Sequence, residues 1–88
     1  MVTSCSIYLV HTAAAPDQVL ADGLGDDLVE LTDGLVVVES ELTRSELYHG
    51  LKRLQAPDTP LLVAELTEPP KMKAMAPGAH AWLRDRFG

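Results

Sequence analysis

The sequence contains a single cysteine, Cys5, among its 88 residues, which excludes a disulfide within the chain. Because Cys5 begins an apolar stretch, we interpret it as a small buried hydrophobic side chain. The chain also lacks an apolar run long enough to span a bilayer, and residues 1–4 lack the positive charge that begins a secretory leader. We therefore expect a cytoplasmic protein that does not associate with a membrane.

Basic residues are scarce as well, with seven Lys and Arg against 13 Asp and Glu, for a net charge of -6. Nucleic acid is therefore an unfavourable partner, because binding to it relies on a basic surface. The charge is uneven: residues 69–88 hold four basic and one acidic residue, or +3, which leaves -9 for residues 1–68. We expect this basic segment to lie on an acidic surface of its own chain or of a partner, or else to form a solvated helix.

The best-defined local structure is a hairpin followed by a helix. Asp33-Gly34 separates two apolar runs, which predicts a two-residue hairpin turn with positive φ at both residues. Thr43 and Glu46 have the spacing of a capping box, and they predict a helix over residues 44–55.

The remaining pattern predicts strands at 4–10, 28–32, 35–40 and 61–66 and helices from 16 to about 24 and at 79–87, with residues 71–75 as a possible extra strand. This order is β-α-β-β-α-β with a helical appendix. It predicts an α+β, ferredoxin-like sandwich with a four-stranded antiparallel sheet, whose central strands are the first and third. We divide the chain into a domain at 1–68 and a Pro-rich linker with a C-terminal helix at 69–88.

Two helices of such a sandwich cover only one face of the sheet, yet three strands are apolar on both sides. A large apolar surface is seldom left open on a monomer. We therefore predict a homodimer joined through the second face, with the C-terminal helix of the same chain as the alternative cover. The predicted interface residues are Tyr8, Val10, Val36, Val38, Leu62, Leu66, Trp82 and Phe87.

Several segments resemble small ferredoxin-like proteins related to the CRISPR-adaptation subunit and to VapD-type ribonuclease toxins. These segments are Tyr8-Leu9-Val10, the hairpin, residues 41–47, residues 60–67 and Ala81-Trp82-Leu83-Arg84. The resemblance implies a homodimer joined sheet to sheet, in which the segment after the fourth strand reaches the partner. For active members it also implies a metal-dependent nuclease with an aspartate at the end of the first strand. At the end of the predicted first strand, this sequence has Val10-His11-Thr12-Ala13 and lacks the aspartate.

His11 is the candidate catalytic residue, because it lies where a central strand ends. His49 and His80 offer no useful metal-ligand spacing with it, and we predict neither a metal site nor a cofactor unless the nuclease interpretation holds, which needs Mg or Mn. We expect Asp26-Asp27 and the acids Glu39 and Glu41 to be solvated. The preferred function is a non-catalytic protein-interaction or scaffolding module acting as a homodimer. The alternatives are a divergent metal-dependent nuclease and a small-ligand regulatory domain.

Overall fold

A computed structural model of the protein describes residues 5–87. Its elements are β1 (Ser6–His11), α1 (Pro16–Ala21), β2 (Asp27–Thr32), β3 (Leu35–Ser40), α2 (Arg44–Lys52), β4 (Leu62–Leu66) and α3 (Ala79–Phe87). The ferredoxin-like order with a C-terminal helix is confirmed. The predicted start of the first strand at residue 4, and the interpretation of residues 1–4, lie outside the described residues.

The four strands form one open sheet in the order β2-β3-β1-β4, and every neighbouring pair is antiparallel. The prediction that β1 and β3 are central is confirmed. Their register places Tyr8 opposite Val38 and Val10 opposite Val36. Side chains that lie opposite each other share a face, so these four residues point to the same side of the sheet.

The hairpin between β2 and β3 is present, but its predicted turn type is wrong. Gly34 has a φ of 78°, whereas Asp33 is not among the residues with positive φ. Glu30 pairs with Val36 and Thr32 pairs with Leu35, so that β2 holds one extra residue between them. The two strands are therefore joined by a turn with positive φ at Gly34 but not at Asp33, beside a bulge in β2.

The capping box at the start of α2 is confirmed. The Glu46 N–H donates to Thr43 Oγ1 over 3.1 Å, and the Thr43 N–H donates to Glu46 Oε1 over 2.9 Å. The helix ends at Lys52, earlier than the predicted 55, because residues 53–55 form a turn closed by the Leu54 N–H on the Leu51 carbonyl. Such a cap contributes about 1 kcal/mol to the helix that it begins.

The face of the sheet under α1 and α2, here called the helix face, holds the larger cluster of buried side chains. It consists of Tyr8, Val10, Val19, Leu24, Val36, Val38, Leu47 and Leu51. The placement of Tyr8, Val10, Val36 and Val38 opposite the helices was therefore wrong. Because all four are at most 3 % exposed under the chain's own helices, they are not available to a second copy.

The opposite face, here called the second face, is covered in part by the C-terminal segment of the same chain. Ala79 and Leu83 of α3 are buried against Ile7, Leu31 and Val37. Leu66, Trp82 and Phe87 pack around this cluster and are half-buried. The C-terminal helix thus covers part of this face, as the alternative in the sequence-based interpretation expected. The homodimer stays a prediction.

Residues 71–75 do not form the extra strand that the pattern allowed. The chain instead approaches β2 just after them, where the Ala76 N–H donates to the Leu31 carbonyl over 2.8 Å. Each helix within residues 5–87 is too short and too polar to cross a membrane.

Candidate functional site

The outer edge of β4 is one candidate site. β4 is an edge strand of the sheet, and no further strand pairs with its outer side within residues 5–87. Its first residue, Leu62, is 51 % exposed, more than Leu20 at 39 % or Tyr48 at 37 %, the other large hydrophobic side chains that lie open. An exposed apolar edge strand is a template for pairing with another chain.

The apolar side chains next to this edge continue onto the second face. Leu62 pairs with His11, Ala64 with Leu9, and Leu66 with Ile7, so all of these side chains lie on one side of the sheet. We call Leu9, Leu62, Ala64 and Leu66 the edge strip. Leu62 and Leu66 are thus the two predicted interface residues on sheet strands that the structure leaves at least partly accessible on this face.

A second candidate site is a cleft of about 370 Å³ at the end of β1, which we call the strand-end cleft. His11, Glu30 and Asp33 line it together with the loop at 12–16, and all three of these side chains are exposed. His11 Nδ1 lies 3.1 Å from the Gly34 carbonyl oxygen. The structure therefore brings His11 together with two carboxylates from the hairpin, a grouping that the sequence analysis missed because it depends on how the hairpin folds over the strand end.

Gln55 fixes the loop that forms one wall of this cleft. Its Oε1 accepts from Thr12 Oγ1 over 2.7 Å and from the Ala13 N–H over 3.1 Å. Its Nε2 lies 2.9 Å from the Thr59 carbonyl oxygen and 3.1 Å from that of Pro60. One amide thus ties the exit of β1 to the entry of β4, a role that no sequence pattern signalled.

The donors around His11 do not make a metal centre. Within residues 5–87, no three His, Cys, Asp or Glu side chains are grouped so as to hold a metal ion. His49 lies on α2 and His80 on α3, away from the residues that line the strand-end cleft. Since the described residues offer no such group of donors at this cleft, we derive no catalytic step through a metal there.

Two of the acids that were expected to be solvated, Asp27 and Glu39, contact side chains of α3. Asp27 Oδ2 accepts from Trp82 Nε1 over 3.1 Å and also from Arg86 Nη2. The Arg86 guanidinium lies 3.8 Å from the centre of the Trp82 ring, and its Nε is 3.8 Å from Glu39 Oε1. Of the basic residues in the C-terminal segment, Arg86 therefore contacts acids of its own chain. The charge imbalance was the signal for this contact, although it did not identify Asp27 or Glu39.

Cys5 is exposed, so its interpretation as a buried side chain was wrong. Its thiol donates a hydrogen bond to Asp26 Oδ2 over 3.3 Å. This bond, with the negative charges of Asp26, Glu39 and Glu41, raises the pKa of the Cys5 thiol. A thiol with a raised pKa is a poor nucleophile, which makes Cys5 an unsuitable catalytic group.

Comparisons of the chain with protein-family models, with curated proteins and with solved structures gave no match. The resemblance to CRISPR-adaptation and VapD-type proteins therefore stays a prediction, and the function is argued from the geometry alone.

Proposed function

We propose that this protein is a protein-interaction module that forms a homodimer through β4. The observation that supports the proposal is the exposed, apolar outer edge of β4, headed by Leu62. This revises the predicted interface: the edge strip replaces the broad sheet face, because α3 and the helix-face packing take up most of the other predicted residues.

The opposite edge of the sheet is less suited to such pairing. The Leu31 carbonyl on β2 already accepts from the Ala76 N–H, and α3 packs beside that strand. β4 has no comparable cover among the described residues, and Leu62 at its start is more than half exposed. Two copies would therefore meet at the β4 edge rather than at β2.

A two-fold axis gives the pairing a favourable register. Antiparallel pairing of two β4 strands about Ala64 places Leu62 of one copy opposite Leu66 of the other, on the second face. It also places Glu65 opposite Val63, so that the two Glu65 carboxylates do not face each other directly. Pro60 before the strand and Pro69-Pro70 after it limit the pairing to one short strand, which favours a closed dimer over a growing sheet.

Sedimentation equilibrium of the full chain from 1 to 100 μM tests the proposal. We expect the mean mass to rise from 9.5 kDa towards twice that value as concentration increases. Leu62→Lys should keep the chain monomeric over this range, because a lysine at a sheet edge is solvated and blocks strand pairing. The substitution should leave the melting temperature of the monomer nearly unchanged, since Leu62 is already exposed.

Leu20→Lys is the matched control. Leu20 is also an exposed leucine, at 39 %, but it lies on α1, away from β4. It should dimerise as the unmodified chain does. A constant mass of 9.5 kDa for the unmodified chain, or equal effects of the two lysine substitutions, would contradict the proposal.

The strand-end cleft gives the nuclease alternative a specific location and test. That alternative predicts hydrolysis of RNA or DNA with Mg²⁺ or Mn²⁺ that stops on addition of EDTA and in His11→Ala. The interaction module predicts no hydrolysis above that of an identically purified His11→Ala preparation, together with unchanged dimerisation of that variant. Cleavage by the unmodified chain that is lost both on addition of EDTA and in His11→Ala would favour the nuclease.

A further inference from the structure

A second cleft, of about 530 Å³, lies between the segment after β4 and α3, and we call it the C-terminal cleft. Its lining includes the apolar side chains of Met72, Leu83 and Phe87, which are partly or fully buried. Leu83 and Phe87 are four residues apart and therefore share one side of α3. The size lies in the range of about 300–1,000 Å³ that is typical of small-molecule sites.

The polar residues of the C-terminal cleft are all bases. Lys71, His80 and Arg84 line it, and no Asp or Glu does. His80 and Arg84 are also four residues apart on α3, so they stand one above the other beside the apolar residues. The cleft therefore offers an anion with an apolar body both an apolar surface and the positively charged donors Lys71 and Arg84.

Within the part of the chain that the structure describes, Lys71 and Arg84 form no ion pair. The ion pairs within residues 5–87 involve Arg86, which binds Asp27 and Glu39. The chain as a whole has a net charge of -6, so this is a basic site on an acidic protein. An excess of unpaired positive charge beside an apolar cleft attracts anions and selects against neutral ligands.

We propose that the C-terminal cleft binds a small amphiphilic carboxylate, with its apolar chain against Met72 and Phe87 and its carboxylate towards Lys71 and Arg84. A bare inorganic anion would leave the apolar floor exposed. A peptide that binds by strand addition would need a free strand edge, whereas this cleft is formed by residues 69–72, which are not in a strand, and by α3.

Titration of the ¹⁵N-labelled full chain with octanoate, and separately with 1-octanol, tests the proposal. We expect saturable shifts in the amide signals of residues 71–72 and 80–87 with octanoate, and weaker binding of the neutral alcohol. The double variant Lys71→Gln, Arg84→Gln should weaken octanoate binding roughly tenfold, because it removes two charge-assisted contacts at a partly exposed site. It should leave octanol binding unchanged.

The control variant is Lys52→Gln, Arg53→Gln, which removes two exposed positive charges at the end of α2. It changes the net charge by the same amount, and it should bind octanoate as the unmodified chain does. The proposal is overturned by non-saturable shifts, by shifts outside the two segments, by equal affinities for octanoate and octanol, or by equal effects of the two double variants. Running the titration on Leu62→Lys as well separates this result from the outcome for the homodimer.

Discussion

The two faces of the sheet are covered in different ways. On the helix face, Leu47 and Leu51 lie one turn apart on a capped helix, and both are fully buried. The Tyr8 hydroxyl also donates to the Leu42 carbonyl over 2.7 Å, which joins β1 to the start of α2. On the second face, the cover is a nine-residue helix held at the end of a Pro-rich segment, and polar contacts to Asp27 help to place it.

The difference shows what an apolar pattern can and cannot establish. β3 is apolar at four consecutive positions, so both faces of the sheet needed a cover. The capped helix next in sequence was bound to cover one of them. The cover of the other face comes from some forty residues further along the chain, and the same pattern is compatible with a second molecule.

Removal of residues 69–88 should have the largest effect on the protein. It uncovers Ile7, Leu31 and Val37, and each large side chain gains about 1.5–3 kcal/mol when buried. We expect the fragment 1–68 to lose its cooperative thermal transition by circular dichroism. A melting temperature within a few degrees of the full chain would show that 1–68 is an independent domain, as the sequence division proposed.

Leu51→Ala and Leu83→Ala compare the two covers directly. Both leucines are at most 2 % exposed, and each substitution should lower the free energy of unfolding by about 2–4 kcal/mol. Urea denaturation of the two variants measures this loss in the free energy of unfolding. If α3 were displaced in solution, Leu83→Ala would cost much less than Leu51→Ala. Leu20→Ala, at an exposed position, serves as the control and should cost well under 1 kcal/mol.

The sequence predicted the element order, the central strands and the capping box because each rests on local signals. It failed on the side-chain directions. The misplaced residues, Tyr8, Val10, Val36 and Val38, lie on β1 and β3. Alternation along a strand determines which residues share a face, but not which face the helices cover. No local signal indicates which side chains of β3 face the helices, because Val36, Val37 and Val38 are all valines.

The candidate sites were harder to predict for the same reason. His11 was identified from its place at the end of a strand, but Glu30 and Asp33 join it only through the hairpin. The lining of the C-terminal cleft combines residues 69–72 with one side of α3. The second grouping depends on the path of the chain after β4, and no local sequence pattern predicts that path.

Arg86→Gln should have a smaller effect than either leucine substitution. It removes the contacts with Asp27 and Glu39 and the stacking on Trp82, and we expect a loss of about 1 kcal/mol because the side chains are partly exposed. A double-mutant cycle with Asp27→Asn, followed by urea denaturation, isolates the pair. Additive effects would show that Asp27 and Arg86 do not interact in solution. The control cycle combines Arg86→Gln with Asp33→Asn on the hairpin turn.

The smallest effect concerns the reactivity of Cys5 rather than stability. The Asp26 carboxylate accepts a hydrogen bond from the thiol and repels the thiolate, so both effects raise the pKa of Cys5. A raised pKa in the folded state means that the folded protein holds this proton more tightly. The resulting contribution to stability is therefore present below the ordinary thiol pKa and is lost as the pH rises through the raised value.

Asp26→Asn removes the carboxylate charge and should lower the pKa of Cys5 towards that of an ordinary thiol. At pH 8, alkylation by iodoacetamide should then be faster in the variant than in the unmodified chain, because more of the thiol is ionised. The rate is followed by mass spectrometry, with Asp22→Asn as a control that removes an exposed charge on another segment. Equal rates in Asp26→Asn and Asp22→Asn would show that the thiol does not bond to Asp26.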